Sequence, residues 1–229
     1  MEFQSAKIGD LSARVLKHDE PVKTATVFLH GAGANMDDLV PLADYLPSLK
    51  SGDMYFFNAP FEMMPPYPMY IWFNVGELVE KMASTGFSED IVKTFVPTRI
   101  EEGRKHLKNA MASIRENYDT INVIGFSQGG MMTLDYALSE EKIGKVGLLS
   151  TSICDYQYLL SKIENGSKKF EIFQSHGDSD EILPFQYGEY LKKFLDDKGF
   201  QVRFETFKGG HEIPLDILKK LNNFMNNSN

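Results

Sequence analysis

The sequence predicts an α/β protein, a mostly parallel central sheet with helices on both faces. Two observations carry this. Short runs rich in apolar and β-branched residues alternate along the chain with segments of helical periodicity. One such run, Ile121-Asn122-Val123-Ile124, passes straight into Gly125-Phe126-Ser127-Gln128-Gly129 and then into a helix-compatible segment. Strand, Gly-x-Ser-x-Gly and helix in that order describe a sharp turn that lifts a serine hydroxyl clear of the backbone.

Taken in order, residues 24–30 (TATVFLH) read as a buried strand. Residues 37–49 read as a helix with Leu39, Leu42, Ala43 and Leu46 on one face, and 54–58 as a short strand. Residues 99–118 form an amphipathic helix, with Ile100, Leu107, Met111, Ile114 and Tyr118 at helical spacing. After the strand at Ile121 come a helix at 128–139, a strand at 145–150, a short helix near Tyr156 and a strand at 170–175. The chain closes with a helix at 185–198, a strand at 201–207 and a helix at 215–225. The one compositional break is 58–88, rich in Met, Pro and aromatics.

A length of 229 residues suits one domain, 1–229, with an apolar flap or insertion at about 58–88. No apolar run approaches the length of a membrane-spanning helix, and residues 1–5 lack the basic and apolar regions of a signal peptide. The lone cysteine, Cys154, permits no internal disulfide and fits a reducing compartment, so a cytoplasmic location is expected; in its apolar stretch it reads as a buried, inert thiol. A net charge of −8 without a basic stripe argues against nucleic acid as a partner and leaves room only for transient contact with a membrane surface.

A serine hydroxyl is a poor nucleophile near neutral pH. It needs a general base, and the base needs an orienting carboxylate. Five histidines compete. His18 and His106 read as surface or capping residues, and His30 ends a strand ahead of the serine. His211, in the glycine loop after the last strand, is the preferred base; His176 is the alternative, or else a strand-end residue bracing the turn that carries the acid. In His176-Gly177-Asp178-Ser179-Asp180 both aspartates are candidates. Asp178 reads as a turn former and Asp180 as the acid, with Asp155 the competitor from one strand earlier and Asp135 on the surface. The backbone N–H of Gln128 and that of Ala32, in His30-Gly31-Ala32-Gly33, are the expected oxyanion donors.

Five stretches occur in a family order: Phe28-Leu29-His30-Gly31-Ala32-Gly33, Trp72-Phe73-Asn74, Gly125-Phe126-Ser127-Gln128-Gly129-Gly130, His176-Gly177-Asp178-Ser179-Asp180 and Gly210-His211. On these motifs the chain resembles the phospholipase/carboxylesterase family of α/β-hydrolases, which includes the acyl-protein thioesterases. The resemblance implies the α/β-hydrolase fold, Ser127 as nucleophile, Asp180 as acid, His211 as base, and the Ala32 and Gln128 N–H groups as oxyanion donors. It implies a small-molecule ester or acyl substrate, and no metal or organic cofactor.

The apolar stretch containing Met63, Met64, Met69, Trp72 and Phe73 reads as the wall of an acyl groove or as a satellite core, and residues 81–87 extend it. Such a flap could pair two subunits into a homodimer or close over the site. The expected activity is therefore hydrolysis of esters or thioesters with medium to long acyl chains. The rivals are a lysophospholipase, a short-chain soluble-ester hydrolase, and an inactive scaffold that binds an apolar ligand.

Overall fold

A computed structural model of the chain describes residues 2–77, 86–166 and 168–226. The predicted extension of the flap at 81–87 lies largely outside the described residues, because 78–85 are not among them.

Among the described residues one eight-stranded sheet organises the molecule. β1 (Gln4–Ile8) and β2 (Leu11–Leu16) form an antiparallel hairpin, and β2 pairs antiparallel with β4 (Asp53–Phe57). From β4 onward every pairing is parallel, through β3 (Thr24–Leu29), β7 (Thr120–Phe126), β8 (Ile143–Leu149), β9 (Glu171–Gly177) and β10 (Gln201–Phe207). A two-stranded ribbon, β5 (Phe61–Glu62) with β6 (Tyr70–Ile71), stands apart from it.

The central strands read as unbroken apolar runs because both faces are covered. Successive side chains point to opposite sides, so Val27, Tyr55, Val123 and Ile172 enter one core while Phe28, Phe56, Ile124 and Phe173 enter the other. The first core is roofed by α2 (Ile100–Arg115), α3 (Gln128–Ala137), α4 (Tyr156–Glu164) and α5 (Phe185–Asp197), with the short α1 (Glu89–Thr94) alongside. The second is covered by α6 (Leu215–Asn226) and two short 3₁₀ helices.

Those 3₁₀ helices, Val40–Tyr45 and Pro47–Leu49, correct the single α-helix expected over 37–49. Pro41 and Pro47 each sit in the first turn of a 3₁₀ segment. A proline has no N–H for an α-helical bond, and it pushes the residue before it out of the helical region. Leu46, before Pro47, adopts φ −119°, ψ 57° and splits the segment. The hydrophobic face survives, since Leu39, Ala43, Leu46 and Leu49 are all buried.

Asp135, expected on the surface, is buried. It faces Arg104 of α2, whose Nε donates to Asp135 Oδ2 at 2.7 Å. The same guanidinium bonds Glu101 at 2.5 Å, lies 3.0 Å from Asp155 Oδ2 and stacks 3.5 Å from the Tyr158 ring. It thereby ties α2 to α3 and to the start of α4. Burial pushes the Asp135 carboxyl up to about 7, outweighing the pull of Arg104. Cys154 is buried beside this cluster, and burial pushes its thiol well up. Among the described residues no helix is long and apolar enough to cross a membrane.

Arg104→Met would leave Asp135 and Asp155 without their cation. It is expected to cost about 3–5 kcal/mol, read as a lower urea midpoint at unchanged slope, and Asp135→Asn in that background should restore part of the loss. A midpoint unchanged by Arg104→Met would show that the ion cluster does not hold these helices.

Candidate active site

The strands that carry the predicted site residues all end at the carboxyl edge of the parallel sheet, where side chains from different loops converge. β7 delivers Phe126, the chain turns at Ser127, and α3 starts at Gln128. Ser127 has φ 53°, ψ −121°, a conformation rare for a residue with a Cβ. The turn is held from several sides. Ser127 N–H donates to the Leu149 carbonyl at 2.9 Å, and Ser127 C=O accepts from Thr151 Oγ1 at 2.7 Å and from Gly130 N–H at 2.9 Å. The glycines flanking the serine are required by space: a Cβ on Gly129 would run into the Leu29 carbonyl, and one on Gly125 into the Gly129 carbonyl.

Asp180 lies in the loop after β9 and is buried. Its Oδ1 accepts the N–H groups of Ile182 at 3.0 Å and Leu183 at 2.8 Å. Its Oδ2 is 2.7 Å from Nδ1 of His211, which stands in the loop after β10. Burial opposes ionisation of Asp180, but the hydrogen bonds from His211 and Leu183 win and hold the carboxyl below the usual carboxylate range. With Nδ1–H donating to Asp180, the second imidazole nitrogen of His211 presents a lone pair. The two loops are joined directly. Ser179 N–H donates to the Gly209 carbonyl at 3.0 Å, and Asp178 Oδ1 accepts from Gly209 N–H at 3.3 Å. Asp178 therefore bridges the two loops, and among the described residues its carboxylate accepts no N–H of its own turn.

His176 is fully buried; its Nε2–H donates to the Leu183 carbonyl at 2.7 Å, bracing the loop that carries Asp180. Asp155 is committed elsewhere, capping α4 through Tyr158 N–H at 3.1 Å and facing Arg104. His18 hydrogen-bonds Asp53, and His106 pairs with Asp10.

His211 meets the Ser127 turn through Phe126, with ring centroids 4.8 Å apart. Ser127 Cβ also lies within 3.2 Å of where a Cβ on Gly31 would stand, so the loop after β3 closes the other side. Among the described residues the Ser127 hydroxyl makes no hydrogen bond, and the N–H groups of Ala32 and Gln128 find no acceptor. Beside this turn lies a cleft of 290 Å³ lined by Gly31, Leu39, Leu42, Phe126, His211 and Ile213; of the predicted site residues only His211 reaches it. A larger one, 370 Å³, surrounds Arg104 between α2, α3 and α4 and touches none of the predicted site residues.

The expected acyl wall divides. Met63 and Met64 are exposed, and the Met63 and Met69 side chains lean on Gly33 in the loop after β3. Trp72 and Phe73 do not belong to a wall: both are fully buried, and packing in the core takes them out of reach of the surface. The Trp72 indole N–H donates to the His30 carbonyl at 2.9 Å. Sequence reasoning also missed the Gln128 side chain, which accepts from Trp72 N–H at 2.8 Å and donates to the Phe73 carbonyl at 2.7 Å. It missed the His30 ring, which accepts Ala59 N–H at 3.0 Å and donates to the Gly31 carbonyl at 2.7 Å. Apart from Gly31, these partners lie far from the side chains in sequence, and no local pattern announces them.

A family model described as phospholipase/carboxylesterase matches residues 11–229. An acyl-protein thioesterase 1 of Eremothecium gossypii is 30% identical over 218 residues, 90% of this chain and 88% of the relative. Carboxylesterase SOBER1 of Arabidopsis thaliana is 26% identical, covering 89% of this chain and 90% of the relative. Among solved structures, esterase PE8 superposes with a TM-score of 0.76 at 25% identity, covering 94% of this chain and 97% of the other.

Burial pushes the His30 imidazole down from 6.5 to about 4. The unfolded chain therefore takes up this proton first as pH falls, and folded stability declines between 6.5 and 4. The His30 share of the decline is about 3 kcal/mol. Urea titrations across that range should show His30→Asn with a shallower acid slope than the wild type; equal slopes would mean His30 titrates normally.

Proposed function

The chain belongs to the phospholipase/carboxylesterase family of ester hydrolases, and from that premise we propose that it cleaves carboxylic esters or thioesters through an acyl-enzyme on Ser127. The observation that carries the reading is the 2.7 Å contact of Asp180 Oδ2 with His211 Nδ1, which leaves the other ring nitrogen free to take a proton.

In the proposed sequence His211 Nε2 takes the Ser127 proton as Oγ bonds to the substrate carbonyl carbon. The carbonyl π electrons move to oxygen, and the oxyanion is met by the N–H groups of Ala32 and Gln128. As the tetrahedral centre collapses, His211 returns its proton to the departing alcohol or thiol. Water then repeats the cycle on the acyl-enzyme, losing its proton to His211 and releasing the acid. Asp180 stays ionised throughout, keeping the imidazole in its tautomer and stabilising the imidazolium. Unpaired N–H groups at a helix start and in a glycine turn suit the oxyanion, because they need no rearrangement as charge develops. Medium to long acyl chains suit the apolar cleft by Leu39, Leu42, Phe126 and Ile213, and the exposed Met63 and Met64 suit brief contact with a lipid surface.

Initial rates on p-nitrophenyl esters from acetate to palmitate test this. Ser127→Ala is expected to lower kcat by roughly 10⁶-fold and Asp180→Asn by roughly 10⁴-fold, with activity peaking at medium or long chains. Hydrolysis that survives Ser127→Ala would sink the acyl-enzyme, and a peak at acetate would sink the chain-length reading.

A further inference from the structure

The two groups assigned to the oxyanion are backbone N–H groups on different elements, Gln128 opening α3 and Ala32 in the turn after β3. One line of buried side chains runs from one to the other. The Gln128 side chain accepts Trp72 N–H at 2.8 Å and donates to the Phe73 carbonyl at 2.7 Å, which fixes the 72–73 backbone to the start of α3. The Trp72 indole N–H then donates to the His30 carbonyl at 2.9 Å. The His30 ring is anchored to Ala59 N–H at 3.0 Å, and its Nδ1–H donates to the Gly31 carbonyl at 2.7 Å. In a trans peptide the C=O and the next N–H point in opposite directions. Holding the Gly31 carbonyl against the His30 ring therefore turns the Ala32 N–H the other way, where it has no protein acceptor among the described residues.

We propose that Trp72, acting with the side chains of His30 and Gln128, is a positioning residue that sets the direction and spacing of the two oxyanion donors without touching substrate. This rests on the assignment of Ala32 and Gln128 made above. Gln128, His30 and Trp72 are each at most 2% exposed, so no solvent competes for their hydrogen bonds. The line carries no net charge, since burial keeps His30 neutral down to about pH 4. An uncharged frame leaves the oxyanion as the one developing charge between its donors. The indole N–H is what makes this residue irreplaceable by another ring: phenylalanine would fill the same core space and donate nothing.

Trp72→Phe tests the inference. In a variant shown to be folded by circular dichroism, kcat is expected to fall about 10- to 100-fold, less than or equal to the loss of a whole donor, with KM within about twofold. Affinity for an alkyl trifluoromethyl ketone, whose adduct with Ser127 carries an oxyanion, should fall by the same factor as kcat/KM. His30→Asn, whose amide can still donate to the Gly31 carbonyl, should retain more activity than His30→Leu. The double variant Trp72→Phe/His30→Leu should be little worse than its poorer parent, because both act through one unit. An unchanged kcat in Trp72→Phe would overturn the inference, and so would a raised KM at unchanged kcat, which would put Trp72 against substrate. Should Trp72→Phe not fold, the wild type decides. Trp72 is the one tryptophan of the chain, and its indole N–H resonance should shift when the ketone adduct forms; a resonance that does not move would overturn the inference. Organophosphonate labelling of wild-type Ser127 runs alongside. Failure of that labelling would overturn the Ser127 reading itself, whereas labelling with an inert Trp72→Phe effect would overturn only the positioning role.

Discussion

The arrangement at the sheet edge depends on one close approach: α3 leaves Ser127 so tightly that Gly129 lies against the carbonyls of Leu29 and His30. No side chain fits between them. The end of β3 and the start of α3 are therefore in direct contact, and the turn after β3 is drawn over the serine. A similar contact joins the other half, where Gly177 at the end of β9 leaves no room for a Cβ before the carbonyls of Gly209 and Gly210. Each half of the edge is a pair of loops pressed backbone to backbone. Their side chains can only point outward, into the cleft, or back into the core.

Two kinds of buried polar chemistry support this frame. Around the serine the supporting side chains are neutral: His30, His176 and Gln128 exchange hydrogen bonds with backbone groups and hold the loops by direction rather than by charge. Farther back, Arg104 gathers Glu101, Asp135 and Asp155, a charged knot that joins helices. The division is physically sensible. A fixed charge close to a reacting carbonyl would bias both protonation states of the imidazole, while one behind α3 stiffens the roof with less effect on the chemistry. Asp180 is the charged exception: two backbone N–H groups and His211 bond it, and His176 Nε2 stands 3.4 Å from its Oδ2.

The parallel half of the sheet was legible because strands buried on both faces leave continuous apolar runs, and β10 falls at 201–207 as expected. The loops bearing Asp180 and His211 were legible from their glycines and their place after strands, and the two side chains meet at 2.7 Å. The β1–β2 hairpin carries a fainter signal, in which Leu11, Ala13 and Val15 alternate with Ser12 and Arg14 behind the Gly9-Asp10 turn. That pattern is period-two and half-buried, unlike the continuous apolar runs of the central strands. The 37–49 segment misled because its apolar spacing is helical while its prolines forbid an α-helix; tertiary burial kept the face and changed the backbone. Asp135 and Trp72 misled for a common reason. A lone acidic residue reads as solvated and a lone aromatic in a Met-rich loop reads as a wall, until Arg104, 31 residues away, and His30, 42 residues away, come into contact with them.

β7, which leads into Ser127, lies in the interior of the sheet between β3 and β8, whereas β10, which leads to His211, is the last strand of the sheet among the described residues and pairs with β9. Edge strands open at lower free energy than central ones. A thermal fluctuation that frays β10 would carry the imidazole away while the serine turn stayed intact. With His211 as the proposed base, turnover would then have its own melting point, below that of the fold, and molecules with native helices and an intact Ser127 turn would be silent. Amide protons along β10 would exchange with solvent ahead of those along β7, and heat inactivation would run ahead of the collapse of the sheet.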